Sequence, residues 1–216
     1  TYLRTHPVTY ERIAEAQARA QGKGYRQVAD SLDFQMVRAL LRSYTGRPDE
    51  AVAWFDTALA ERKYNSEVAA RYGLVAALLR DQQYARARKE LAALERIAPP
   101  HPMIEAIAAH VLMESGDAPA AVVRLEAALA RYPNKMQLVY DYPDALVKAG
   151  RPAEASAFAE AQLQRFPQDG PLHELAAKAY AAQGKNLKQH QHLGEFYAWV
   201  GNLRLAIDQM ELAIKA

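Results

Sequence analysis

A chain of 216 residues, half of them hydrophobic and 24% charged, can bury a substantial core as one large domain or as a small array of units. Its 27 basic and 25 acidic side chains leave a net charge of +2, which gives no long-range field to draw in nucleic acid or anionic lipid. No run of about 18 apolar residues is present to span a membrane, and the absence of cysteine removes disulfides and thiolate metal sites.

In chain order, the first predicted element is a helix near Thr9–Gln21, which does not fit the pattern that follows. From there the chain repeats itself. "GRPDEAVAWFDTALA" (46–60), "GDAPAAVVRLEAALARYP" (116–133), "GRPAEASAFAEAQLQRFP" (150–167) and "GNLRLAIDQMELAIKA" (201–216) share a Gly, an Ala five residues on, and usually an Ala seven beyond that. A degenerate copy, "QQYARARKELAALERIAP", runs from residue 82 to 99. Ala87 follows Ala51 by 36 residues and precedes Ala121 by 34, and Ala155 comes 34 later. Glycine suits the left-handed cap that ends a first helix, and a proline two residues on presets the next helix, as in Gly46 with Pro48 and Gly150 with Pro152. Alanines seven apart share one helical face, where a short side chain lets the partner helix come close. The same reasoning explains Gly194, Gly201, Ala206 and Ala213 in "HLGEFYAWVGNLRLAIDQMELA". Gly184 and Gly201 are only 17 residues apart, so the helix over 187–199 is expected to serve two neighbours at once. Pro143 sits in mid-helix, and a kink or a late helix start is expected there.

These residues resemble the small, aromatic and proline signature of the tetratricopeptide repeat, whose period is 34. The resemblance implies an all-α, right-handed superhelical solenoid of about six helix pairs, with residues 1–26 as a separate N-terminal helix or linker and residues 27–216 as the array. Solenoids of this kind bind proteins or extended peptides, the first helix of each pair lining an inner groove. By register the groove residues are Met36, Leu40 and Tyr44; Tyr72 and Ala76; Ala106, His110 and Met113; and Tyr140, Asp144 and Lys148. Packing between repeats is the alternative role for each. The lysine and asparagine clamp that some such repeats use for a chaperone's C-terminal carboxylate would need polar side chains at Met36, Leu40, Tyr72 and Ala76. An apolar, tyrosine-rich groove suits extended chain or a partner helix instead.

No catalytic residues, metal ligands or cofactor are read from this chain. "HELAA" from His173 opens like the zinc-protease motif HExxH, but Ala177 stands where the second histidine belongs. His190 and His192 are two apart and point to different sides of a helix, as polar residues on the protein surface do. His101 belongs to a proline-rich turn.

A closer resemblance lies at the two ends. Thr5-His6-Pro7 followed by Glu11-Arg12-Ile13 is similar to the closing segment of the peptidase domain in HtpX- and BepA-type bacterial zinc metalloproteases. The C-terminal "QHLGEFYAWVGNLRLAIDQMELA" resembles the last repeat of the BepA-like subgroup. What this resemblance implies is a periplasmic protein of outer-membrane protein assembly and quality control. Zinc would sit in a peptidase domain preceding residue 1, and residues 1–26 would be the tail of that domain. The expected partners are outer-membrane proteins, their assembly machinery or the chain's own protease domain. A free-standing scaffold of a secretion or pilus-type assembly is the alternative.

Overall fold

Helix boundaries along the chain are set by capping groups that recur with the repeat. The computed structural model describes residues 9–21 and 28–216, so Thr5, His6, Pro7 and the 26/27 boundary lie outside the described residues. The helices are α1 (Thr9–Gln21), α2 (Leu32–Ser43), α3 (Pro48–Ala60), α4 (Glu67–Arg80), α5 (Tyr84–Ile97) and α6 (Pro102–Glu114). They continue as α7 (Ala118–Arg131), α8 (Met136–Lys148), α9 (Pro152–Leu163), α10 (Gly170–Ala181), α11 (Asn186–Trp199) and α12 (Leu203–Lys215). Among the described residues there is no strand.

Side chains of Ser66, Asp117, Asp169 and Asn202 accept from backbone amides in the first turns of α4, α7, α10 and α12, supplying acceptors that a helix start lacks. At the other ends, Gly46, Gly116, Gly150, Gly184 and Gly201 all take positive φ. Four of them close a six-to-one bond, for example Asp117 N to Leu112 O at 2.9 Å and Arg151 N to Leu146 O at 2.8 Å. The degenerate repeat makes the same turn without glycine: Gln82 has φ 57°, and Gln83 N bonds Leu78 O at 2.9 Å. A side chain in this region costs roughly 1–2 kcal/mol, and glycine gives back part of that as chain entropy. Gln82→Gly is therefore expected to stabilise the fold by about 0.5–1 kcal/mol, read as a rise in the thermal midpoint of about 1–4 °C.

Consecutive helices from α2 to α11 form five pairs. α11 packs on both α10 and α12, the sharing expected from the short glycine spacing. The described side chains of α1 are exposed, and α1 packs on none of the other helices. Ala51, Ala58, Ala87, Ala121, Ala128, Ala155, Ala206 and Ala213 are all buried. Large side chains fill the space between them: Met36, Phe55, Leu74 and Leu78 in the first half, Leu125, Leu138 and Leu146 in the second.

Pro143 behaves differently from the expectation of a late start. α8 begins at Met136 and runs through Pro143 to Lys148. Burial of Leu138, Val139, Pro143, Ala145 and Leu146 along one helix outweighs the one backbone donor that the ring removes.

Candidate partner-binding groove

Four first helices contribute to one cavity. Leu40 and Tyr44 of α2, Tyr72 and Ala76 of α4, Ala106 and His110 of α6, and Gln137 of α8 line a hollow of about 600 Å³. Helical register puts them there, since residues four apart on one helix share a face. Six of the residues assigned to the inner groove from sequence therefore lie around a single space.

Within it the floor is apolar, and Arg80, His110, Glu114 and Gln137 add polar or charged side chains beside Tyr44 and Tyr72. Tyr72 is 5% exposed, and burial, followed by the nearby Tyr44 and Asp141, pushes its phenol pKa up. It makes no hydrogen bond among the described residues; its ring belongs to the first core cluster with Met36 and Leu74 and lines the cavity. His110 Nε2 lies 3.0 Å from Asp141 Oδ1, which also accepts from Gln137 Nε2 at 2.8 Å. The second oxygen, Asp141 Oδ2, is buried without a partner. Burial pulls the His110 pKa down, but the bond to Asp141 and the charges of Asp141 and Asp144 outweigh it and Lys148, so the net shift is upward. A protonated His110 offsets the buried carboxylate.

The remaining sequence-assigned residues serve other contacts. Met36 and Met113 are buried in the core. The Tyr140 hydroxyl donates to Asp169 Oδ2 at 2.8 Å, joining α8 to the residue that caps α10; burial and this bond push its pKa up to about 12. Lys148 pairs with Glu114 at 2.7 Å, and Lys178 pairs with Asp144. Both ion pairs link residues 34 apart, so these charges staple one repeat to the next.

His192 corrects the surface reading made from spacing alone. It is 8% exposed, stacks on Tyr180, and its ring nitrogens face His173 Nδ1 at 3.0 Å and Glu160 Oε1 at 3.2 Å. His190 points the other way, to Gln209 at 2.8 Å. The two do face different sides of α11, but α10 covers one side and α12 the other. Burial, with Glu160 opposing it, moves the His192 pKa down. The two histidines thus carry opposite signs. Stability from His110 is complete below the ordinary value of about 6.5 and fades as pH rises through its higher folded pKa. Stability from His192 is complete above that ordinary value and fades as pH falls through its lower folded pKa. In denaturant titrations, His110→Gln is expected to be more costly at pH 5 than at pH 8, and His192→Gln the reverse.

The sequence model of the tetratricopeptide repeat matches residues 44–111 and 112–179. The chain belongs to the tetratricopeptide repeat family. Among curated proteins it is similar to the beta-barrel assembly-enhancing protease of Yersinia pestis, 24% identical over 95% of this chain and 42% of that protein. The protein of the same name from Escherichia coli (strain K12) is 26% identical over 98% of this chain and 43% of its own length. This tetratricopeptide array therefore spans less than half of the relatives it matches. Two solved structures share the fold: YrrB, a TPR protein with an unusual peptide-binding site (TM-score 0.56, 18% identity, 94% of this chain and 98% of that one), and a tetratricopeptide repeat protein from Parabacteroides merdae (TM-score 0.62, 16% identity, 95% and 77%). No described helix is long and apolar enough to cross a membrane.

Proposed function

We propose that this tetratricopeptide array is the polypeptide-recognition part of a periplasmic zinc metalloprotease acting in outer-membrane protein assembly and quality control. The single observation that carries the recognition role is the cavity of about 600 Å³, with Tyr72, Tyr44 and His110 turned to one space across three repeats. The assembly role is supported by similarity to beta-barrel assembly-enhancing proteases along nearly the whole chain. In this reading an extended segment of a substrate or of the assembly machinery lies in the groove, where tyrosines give contact area and His110 and Gln137 meet its backbone. Zinc and hydrolysis belong to the part of such a parent that this array does not match.

The chain's own protease domain is a second occupant with an observation of its own. Phe34 and Leu41 stand 51% and 66% exposed on α2 beside Val37 at the edge of the groove, an apolar stripe of the kind that seats a neighbouring domain.

The test is affinity for a reduced, denaturant-diluted β-barrel polypeptide, followed by fluorescence anisotropy. Tyr72→Ala is expected to weaken binding by about 10- to 30-fold, the effect of truncating an aromatic anchor. Tyr140→Phe, which alters only the link to Asp169, should leave affinity near the wild-type value. Equal binding by Tyr72→Ala, with the helical circular dichroism unchanged, would remove the groove from the account.

A further inference from the structure

A second cavity, of about 350 Å³, opens between α2 and α3 and shares no lining residue with the groove. α2 packs mainly on α4 and only lightly on α3, and the small residues Ala39, Ala58, Ala69 and Ala70, with the Phe55 ring, form an apolar floor in the space left. The connection from Lys63 to Ser66 also lines the space. Its charged lining is Arg38, Arg42 and Lys63, with no acidic side chain.

The three cations are not equally engaged. Arg38 has Asp30 at 4.0 Å and Lys63 has Glu61 at 2.5 Å, both exposed pairs, and such pairs are held weakly. Arg42 makes no ion pair among the described residues; its guanidinium lies 4.9 Å from the centre of the Trp54 ring. A guanidinium fixed on an aromatic face keeps its donor fork pre-organised for a planar carboxylate. Apolar floor and cationic mouth together fit an anion that carries a bulky apolar group.

We propose that this cavity binds the C-terminal end of a polypeptide, its free carboxylate on Arg42 with Arg38 and Lys63 nearby, and its last apolar side chain on the alanine and Phe55 floor. The proposal deepens the polypeptide-recognition reading and rests on it. It places the chain terminus outside the groove, so the groove remains free for an extended segment. α2 makes this possible because it presents Leu40 and Tyr44 to one cavity and Ala39 and Arg42 to the other.

The experiment uses the whole chain with Trp199→Phe, so that the fluorescence of Trp54, 45% exposed at the cavity, reports alone. The probes are an octapeptide of neutral polar residues ending in Phe with a free carboxylate, the same peptide amidated, and an amidated peptide with an internal Glu beside Phe. The free acid is expected to bind at least about 10-fold more tightly than either amide. Arg42→Gln is expected to abolish that preference, and Ala58→Leu to weaken the free acid by filling the floor. Tyr140→Phe should leave all three peptides unchanged. Equal binding of acid and amide overturns the proposal, as does a preference that survives Arg42→Gln. Equal binding of the internal Glu peptide overturns the assignment to a chain terminus. Acid-selective binding that Tyr72→Ala removes and Arg42→Gln leaves intact moves the terminus into the groove, overturning this site while keeping the recognition reading.

Discussion

Gly73→Ala is expected to destabilise the protein, although alanine is the better helix former by about 1 kcal/mol. A Cβ at this position would stand 2.3 Å from Phe55 Cζ and 3.0 Å from Ala39 Cβ. Phe55 is 1% exposed and lies in the first core cluster with Met36, Leu74 and Leu78, so the ring can admit a new methyl only by breaking its packing and moving toward the cavity it lines. Overpacking of this kind costs about 1–3 kcal/mol, enough to reverse the propensity gain. Phe55→Ala is expected to be worse, about 3–5 kcal/mol, because it leaves a void at the junction of α2, α3 and α4. The pair should couple. In a double-mutant cycle followed by urea unfolding, Gly73→Ala combined with Phe55→Leu is expected to cost less than the sum of the single changes, since the shorter side chain vacates the space that the new methyl needs. Simple additivity would mean that the ring can shift and that the first core is looser than its burial indicates.

A second large effect is expected at the other end of the array, and it is local. A Cβ at Gly194 would meet Met210 Cε at 2.6 Å and Sδ at 3.0 Å. Methionine is flexible and can yield to one methyl, so Gly194→Ala should be close to neutral. Gly194→Leu cannot be accommodated this way. α12 packs on α11 alone, and its buried residues are Ala206 and Ala213, so a branched side chain at this contact removes most of what holds it. Because repeats touch only their neighbours, amide exchange in Gly194→Leu is expected to accelerate at least about 10-fold across 203–215 and to stay near wild type across α2 to α9. Acceleration spread over the whole chain would mean that the array unfolds as one unit.

Gly194 is legible in the sequence as a helix contact, whereas the contact of Gly73 with Phe55 is seen only in the structure. Glycines at helix ends and alanines seven apart state where helices stop and where they touch, and the structure puts the caps and contacts at those positions. At Pro143 the late helix start is the part of the expectation that fails, because burial of the surrounding apolar side chains carries the helix through. The groove is legible in part. Period and register place Leu40, Tyr44, Tyr72, Ala76, Ala106 and His110 around one cavity, but they do not separate Met36 and Met113, which turn into the core. Asp144 and Lys148 have ion-pair partners 34 residues away in the neighbouring repeats, a spacing visible in the sequence once the period is known. Gln137 carries only a weak signal, its position four residues before Asp141. The His173 and His192 contact could not be found from helix spacing, because it depends on two helices covering opposite sides of α11.

The most direct test of the groove as a polypeptide-binding surface is amide and methyl shift mapping by nuclear magnetic resonance as an extended β-barrel segment is added at saturating concentration. The account predicts perturbations concentrated on the inner faces of α2, α4 and α6 around Leu40, Tyr72 and His110, with α9 and α12 silent. A footprint confined to the outer helices α3, α5 and α7, or to α12, would contradict it.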